Sequence, residues 1–355
     1  MTQQIPVIDL EAAVGGRPLA GVLDAVRAAA EQIGIVQVVN HGIDADLIDE
    51  FSRRTGELLA LPRAEKAKLA SPHPYRGWRQ WPDDFGRLEL ERYNVAQFDT
   101  PQDAKAAGVR EEYLGLFAHQ NVWPDAQLRE VAFSYMDASR RLAERMLGLY
   151  AQAEDVPAAT FSLGSLPHLR LTVNDYPTWS YPDAADAQSA TADTAAPGAA
   201  TLDAGKLLLL EHADDSAVTV LSQAGDYEGL QAQMPDGSWR PVPVIPGALQ
   251  VLSGMLLTRW TSGRLRPGRH RVIAGGTETR RSTAVFCYPS LDTVVRPLAP
   301  FAGPAGDSEQ PVLVWDHVSK RVEDYLEEFG QPEQVAAWRE GKPYVAPLAD
   351  TSAGR

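Results

Sequence analysis

Three residues offer the most specific chemistry in this chain: His212, Asp214 and His270. His212 and Asp214 stand two apart in Glu211-His-Ala-Asp214, at the edge of the apolar run Leu207–Leu210. In extended chain, positions i and i+2 point to the same face, so an imidazole and a carboxylate can converge on one ion. His270 lies in Arg269-His-Arg-Val272, after the turn-forming Arg266-Pro-Gly268 and before a β-like run, and can bring a third ligand from a separate strand. Two imidazoles and one carboxylate on one face of an octahedral ion leave three positions open, a set suited to O2 chemistry at iron(II). Zinc more often takes a tetrahedral set with one open position. His-x-Asp alone recurs by chance, and a surface His–Asp pair is the plain alternative.

The bulk properties narrow the partners. The formal charge of -14, from 47 acidic against 33 basic side chains, argues against a surface built to neutralise nucleic-acid phosphates or anionic lipid. No nucleic-acid partner and no membrane partner is expected. Cys287 is the single cysteine, which excludes an intrachain disulfide, a zinc ribbon and a cysteine-held iron–sulfur cluster. It falls in a presumed buried strand, where a small apolar residue suffices and a nucleophilic role is not expected. Met1–Pro6 has no basic start followed by an apolar stretch, and the longest apolar run, around Leu207–Leu210, is far too short to span a bilayer. A cytoplasmic protein is the expectation.

The elements that must position the three ligands change character along the chain. After a short strand in Ile5–Leu10, the first half reads as mainly helical. Val22, Leu23, Val26 and Ile33 recur at helical spacing, with Gly34 as a stop. Gly34–Val39 reads as a buried strand; a second helix carries Leu47, Ile48, Phe51, Leu58 and Leu59 and ends at Pro62. A long helix is expected from about Ala126 to Ala153. From His168 to Tyr288, short β-branched segments alternate with Gly and Pro, among them Leu169–Val173, Ala217–Ser222, Trp239–Val244, Ala248–Leu252 and Ser282–Tyr288. Asp236-Gly237 is a hairpin signal, and the regular spacing suggests a sandwich or barrel. Residues 183–205, dominated by Ala, Asp, Ser and Thr, cannot bury enough apolar surface to offset ordering entropy and read as a flexible insertion.

Several ordered motifs resemble one family. Gly34-Ile-Val-Gln-Val-Val-Asn-His-Gly-Ile43 resembles the "GFF-V-NHGI" signature of the isopenicillin N synthase-like, 2-oxoglutarate/Fe(II)-dependent dioxygenases. Asn121-Val-Trp-Pro-Asp125 is similar to that family's "N-WP" element, and Asn174-Asp-Tyr-Pro177 to its "N-YP" element. Pro246-Gly-Ala248 through Gly254-Met255 and Trp260-Thr-Ser-Gly-Arg264 resembles "PGA-V-N-GD-----W-NGR", with Met255 where an acidic residue is usual. His270-Arg-Val272 matches "HRV", and Arg280-Arg-Ser282 matches "R-S".

The resemblance implies an α+β fold, with a distorted double-stranded β-helix (jelly-roll) core buttressed by N-terminal helices. It divides the chain into an N-terminal region (1–125), a long connecting helix (126–164), the Fe(II)/2-oxoglutarate core (165–300) and a C-terminal helix and tail (301–355). It implies that His212, Asp214 and His270 hold Fe(II), and that Arg280 and Ser282 hold the distal carboxylate of 2-oxoglutarate, with Tyr176 and Asn174 bonding the same cosubstrate. O2 would then oxidise a small molecule by hydroxylation, desaturation or ring formation, as in specialised-metabolite or antibiotic biosynthesis. Arg76, Arg79, Tyr93 and Tyr288 are expected in the substrate pocket. His41 is read as organising the Asn-His-Gly turn. Isopenicillin N synthase shares the "R-S" pair without using 2-oxoglutarate, so a cosubstrate-independent oxidase stays open. A zinc-dependent hydrolase on a β-barrel and a catalytically silent binding protein also stay open.

Overall fold

Alternation of side chains across a pleated strand explains the larger of two sheets. In the strand Pro167–Tyr176 (β5), Leu169, Leu171 and Val173 fall on one face and Arg170, Thr172, Asn174 and Tyr176 on the other. Its partners repeat the pattern. Glu89–Ala96 (β4) turns Tyr93 and Val95 outward and Arg92 and Asn94 inward; Arg280–Ser290 (β14) turns Val285 and Cys287 outward and Ser282, Ala284 and Phe286 inward. Val218–Gly225 (β9) does the same with Val218 and Val220 against Thr219 and Leu221. A computed structural model describes residues 4–11, 20–82, 89–176, 179–180, 200–201, 205–225, 227–275, 280–302, 310–329 and 332–341.

The large sheet adds Val7–Asp9 (β1), Ile35–Val39 (β2), Gly77–Pro82 (β3) and Leu249–Ser253 (β12), in the order β1-β2-β12-β9-β14-β5-β4-β3. Leu207–His212 (β8), Leu230–Gln233 (β10), Trp239–Pro241 (β11) and His270–Ile273 (β13) form the smaller sheet, ordered β11-β10-β13-β8. Leu208, Leu230 and Val272 of the small sheet share a buried cluster with Leu221, Leu252 and Ala284 of the large one. The sheets therefore pack face to face as the jelly-roll core. Trp179–Ser180 (β6) pairs with Ala200–Thr201 (β7), and Val294–Val295 (β15) with Val312–Leu313 (β16).

The outer face of the large sheet is covered by Ala20–Gln32 (α1), Ala45–Leu59 (α2) and Ala126–Ala153 (α5), whose apolar stripes join it in one buried cluster. Asp125 caps α5 by accepting from Leu128 N at 2.7 Å, and Phe51 of α2 stacks on Tyr135 of α5 with ring centroids 4.9 Å apart. Each fully buried aliphatic side chain here contributes roughly 1.5–3 kcal/mol, and Leu142→Ala would cost about 2–5 kcal/mol through the cavity it leaves. Shorter helices are Arg63–Ala67 (α3), Pro101–Ala106 (α4) and Met255–Trp260 (α6); Val314–Phe329 (α7) and Pro332–Arg339 (α8) follow the core. No helix among the described residues is long and apolar enough to cross a membrane.

One expectation needs correction, and another falls mostly outside the described residues. The first half is less helical than its apolar spacing suggests, because β3 and β4 extend the large sheet beyond β5. Their inner faces carry charged and amide groups, so no apolar run announces them. Of the stretch 183–205, only Ala200, Thr201 and Gly205 belong to the described residues; the first two pair in β7, and the flexible-insertion reading otherwise lies outside them.

Candidate active site

β8 ends at His212 and β13 begins at His270, and these two residues are direct cross-strand partners. Their rings lie 4.2 Å apart, centroid to centroid. Asp214 follows in the turn, so candidate ligand atoms of His212, Asp214 and His270 all fall within 4.8 Å of one another. The ring Nδ1 of His212 is 2.8 Å from the Leu210 carbonyl, and that of His270 is 2.9 Å from the Gly268 carbonyl. A carbonyl oxygen only accepts, so each Nδ1 carries the proton and each Nε2 is left with its lone pair for a metal. Burial, and next the neighbouring His212, push the His270 pKa down to about 4, which keeps it in the ligating neutral form.

The Asp214 turn is clamped by α6. The Met255 amide donates to the Asp214 carbonyl at 2.8 Å, Gly254 N to Ala217 O at 2.9 Å, and Leu256 N to Ser216 O at 3.1 Å. The approach requires glycine at 254, where a Cβ would lie 2.0 Å from the Ser216 carbonyl oxygen. Met255 serves through its backbone while its side chain is 49% exposed, which explains how the clamp stands without the usual acidic side chain. Asp215 is pinned too. Its carboxylate accepts from Tyr288 Oη at 2.6 Å and lies 3.4 Å from Arg321 and 3.8 Å from Arg170. His317 Nε2 donates to its carbonyl at 2.8 Å. Burial alone would raise the Asp215 pKa, but Arg170, Arg321 and the Tyr288 bond outweigh it and hold it below the ordinary value.

At the other end of the inner face, Arg280 pairs with Tyr176 and Ser282 with Asn174 across β14 and β5. The Arg280 guanidinium stacks on the Tyr176 ring at 4.6 Å and donates to the amide oxygen of Gln223 at 3.1 Å. Its Nε and Nη1 are buried without a protein partner. An orphaned guanidinium edge of this kind fits a carboxylate. Ser282 Oγ lies 3.5 Å from Tyr176 Oη and 3.4 Å from Asn174 Nδ2, so all four expected cosubstrate residues meet there. The metal set and this cradle line one cavity of about 310 Å³ between the sheets.

The other expected pocket residues do not line that cavity. Tyr93 alternates with Arg92 and Asn94, so it faces the helices and donates to Val122 O at 2.6 Å. Arg76 donates to the carbonyls of Tyr75 and Leu116, Arg79 is engaged by Tyr325, and Tyr288 ends on Asp215. His41 closes its turn as expected, accepting from Ile43 N at 3.1 Å and reaching Gly247 O at 3.0 Å. The cavity instead exposes Tyr75, Arg92, Arg170, Asp215, Phe286 and Arg321. Stepping by two from Asn174 and Tyr176 back along β5 reaches Thr172 and Arg170, a signal present in the sequence. Arg321 comes from α7, far along the chain, with no such signal.

The comparisons with known proteins agree with this geometry. Residues 5–126 match the model described as non-haem dioxygenase in morphine synthesis N-terminal, and residues 171–289 match the 2OG-Fe(II) oxygenase superfamily. The chain is 30% identical over 305 residues to feruloyl CoA ortho-hydroxylase F6H1-3 of Ipomoea batatas, covering 83% of this chain and 73% of that protein. It is 28% identical over 319 residues to thebaine 6-O-demethylase of Papaver somniferum, covering 88% and 78%. A putative 2OG-Fe(II) oxygenase family protein from Caulobacter crescentus shares the fold, with a TM-score of 0.71 at 18% identity over 91% of this chain and 99% of that one. The dioxygenase for auxin oxidation 1 of Arabidopsis thaliana, solved as a complex with 2-oxoglutarate, gives 0.62 at 22% identity over 85% and 99%. The chain therefore belongs to the 2-oxoglutarate/Fe(II) oxygenase superfamily, and it is a dioxygenase that uses 2-oxoglutarate and iron(II).

Proposed function

We propose that the enzyme hydroxylates a C–H group of a small molecule in specialised metabolism. The carrying observation is the shared cavity of about 310 Å³, which holds the metal set and the Arg280 cradle and lies at the lower end of the ~300–1,000 Å³ typical of small-molecule sites. Relatives named as an ortho-hydroxylase and an O-demethylase support this reading, since oxidation at a methoxy carbon also begins as C–H hydroxylation. Antibiotic tailoring is the narrower proposal within it. A lone buried cysteine and a metal that needs reducing conditions favour a cytoplasmic setting.

When bound, iron(II) with 2-oxoglutarate supplies the oxidant, consuming O2 and releasing succinate and CO2 as one oxygen atom enters the substrate. The chain does the positioning. His212, Asp214 and His270 would hold the metal, and the carbonyls of Leu210 and Gly268 set the tautomers of the two histidines. Arg280 and Ser282 would anchor the far carboxylate of the cosubstrate, and Leu209, Leu221, Leu252 and Val272 keep the interior apolar. The test is a small-molecule screen of iron-loaded protein that follows succinate release and product mass together, with anaerobic controls. Succinate coupled to a product 16 mass units heavier supports hydroxylation; turnover confined to a macromolecular substrate would overturn it.

A further inference from the structure

We propose that the substrate carries a carboxylate, and that Arg170, with Arg321 beside it, is the site that binds it. This rests on the reading of the cavity as the chamber of a small-molecule oxygenase. Among the described residues, the charged side chains lining the cavity, beyond the two histidines, are Arg92, Arg170, Arg280 and Arg321 against Asp214 and Asp215. Guanidiniums thus outnumber carboxylates two to one inside a protein whose net charge is -14. Iron(II) and 2-oxoglutarate carry equal and opposite charge, so loading the site leaves that positive excess in place. Low-dielectric walls concentrate such a field and draw in anions.

Arg170 is where the excess is best presented. Its guanidinium lies over the rings of Tyr75 and Phe286, at 4.1 and 4.4 Å from their centroids. Attraction to the two rings fixes the guanidinium in the cavity wall, where its N–H groups can meet a carboxylate. Its N–H groups are not saturated: Tyr75 is a hydrogen-bonding neighbour, but Asp215 stands 3.8 Å away, beyond hydrogen-bond reach, and Nε is buried without a partner. Asp215 is shared with Arg321, whose side chain is 55% exposed on α7 and reaches it at 3.4 Å. One carboxylate between two guanidiniums leaves a net positive pair, and a second carboxylate completes it. Asp214, Asp215 and Arg170 line one cavity of about 310 Å³, so an anion on Arg170 shares it with the metal set and belongs to a compact molecule. Leu209, Leu210, Leu221 and Leu252 line the same cavity and suit an apolar body.

The test uses full-length protein loaded with Fe(II) and 2-oxoglutarate without O2. Butanoate, hexanoate, benzoate and 3-phenylpropanoate are titrated beside their primary amides, with binding read by calorimetry. At least one acid should bind about tenfold or more tightly than its amide, as expected when a desolvated charge pair forms. Arg170→Met should erase that preference, Arg170→Lys should restore part of it, and Arg321→Met should reduce it about threefold. If Arg170→Met fails to fold, the lysine variant carries the comparison, with reduced preference expected. The proposal is overturned if no acid outbinds its amide, or if the preference survives unchanged at position 170; the Arg170–Asp215 pair would then only hold the Asp214 turn. A wild-type protein that bound no 2-oxoglutarate would instead overturn the oxygenase reading, so the two failures are distinguishable.

Discussion

Arg280 and Arg170 serve opposite ends of one sheet face, and the protein prepares them differently. Arg280 pairs across the strands with Tyr176, and Arg170 lies six residues before Tyr176 on β5, about 20 Å along the strand. Both guanidiniums stack on aromatic rings. Arg280 donates to the neutral Gln223, and two of its nitrogens are buried unpartnered. Arg170 has Asp215, which in turn is held by Tyr288 and Arg321. One end is an open socket that a cosubstrate carboxylate would complete. The other belongs to the folded protein because Asp215 adjoins Asp214 of the candidate metal set.

The metal set joins the two ends, so its loss should have the largest effect. His270→Ala should leave no measurable turnover and no measurable Fe(II) binding at micromolar metal, read by oxygen uptake and equilibrium dialysis. Full activity in that variant would remove the triad. Next come the two ends compared in metal-free, cosubstrate-free protein. Asp215→Asn leaves Arg170 without its counter-ion and should cost about 3–5 kcal/mol in urea unfolding, as breaking a buried pair does. Arg280→Met should cost little or even stabilise, because it removes buried donors that have no protein partner. Equal losses in the two variants would dissolve the distinction between the ends.

With iron and cosubstrate present, the ranking of the ends reverses. Arg280→Ala should weaken 2-oxoglutarate binding by roughly 2–5 kcal/mol, so at least tenfold, while Fe(II) affinity stays near wild type. Lysine should recover part of the loss, since it keeps the charge without the two-pronged geometry. The measurement is an anaerobic 2-oxoglutarate titration followed by the charge-transfer absorbance of the Fe(II) protein. Unchanged affinity in the alanine variant takes Arg280 out of the cradle.

The two ends also differ in how legible they are in the sequence. Arg280, Ser282, Asn174 and Tyr176 sit in short motifs on two adjacent strands, so local order carries their meeting. The ligands are likewise legible, because a two-residue spacing and a cross-strand pair fix them. At the Arg170 end the participants come from the turn before β3, β5, the Asp214 turn, β14 and α7, and only tertiary packing brings them together. Tyr93 shows the converse failure. An aromatic in a polar stretch looks functional, yet strand alternation sends it to the helices and its neighbour Arg92 to the cavity.

The smallest expected effect concerns acid, and it tests how tightly the Arg170 end controls protonation. His168 lies on β5 opposite Tyr288, buried, with Nδ1 unpartnered. Burial, then Arg76 and Arg170, push its pKa down to about 3, while Asp215 opposes them weakly. In the unfolded chain the same ring takes a proton near 6.5. Unfolded protein therefore binds more protons than folded protein between those values, and stability falls as pH falls. The contribution is intact above about pH 7 and should have dropped by roughly 2 kcal/mol at pH 5. His168→Gln cannot take up the proton in either state, so its stability should fall by that much less over the same interval. Urea unfolding of metal-free wild type and variant at pH 7 and pH 5 gives the difference directly, because other titrating groups are common to both. Parallel losses would mean that His168 is protonated in the folded protein, and that the arginines at this end do not exclude a further positive charge.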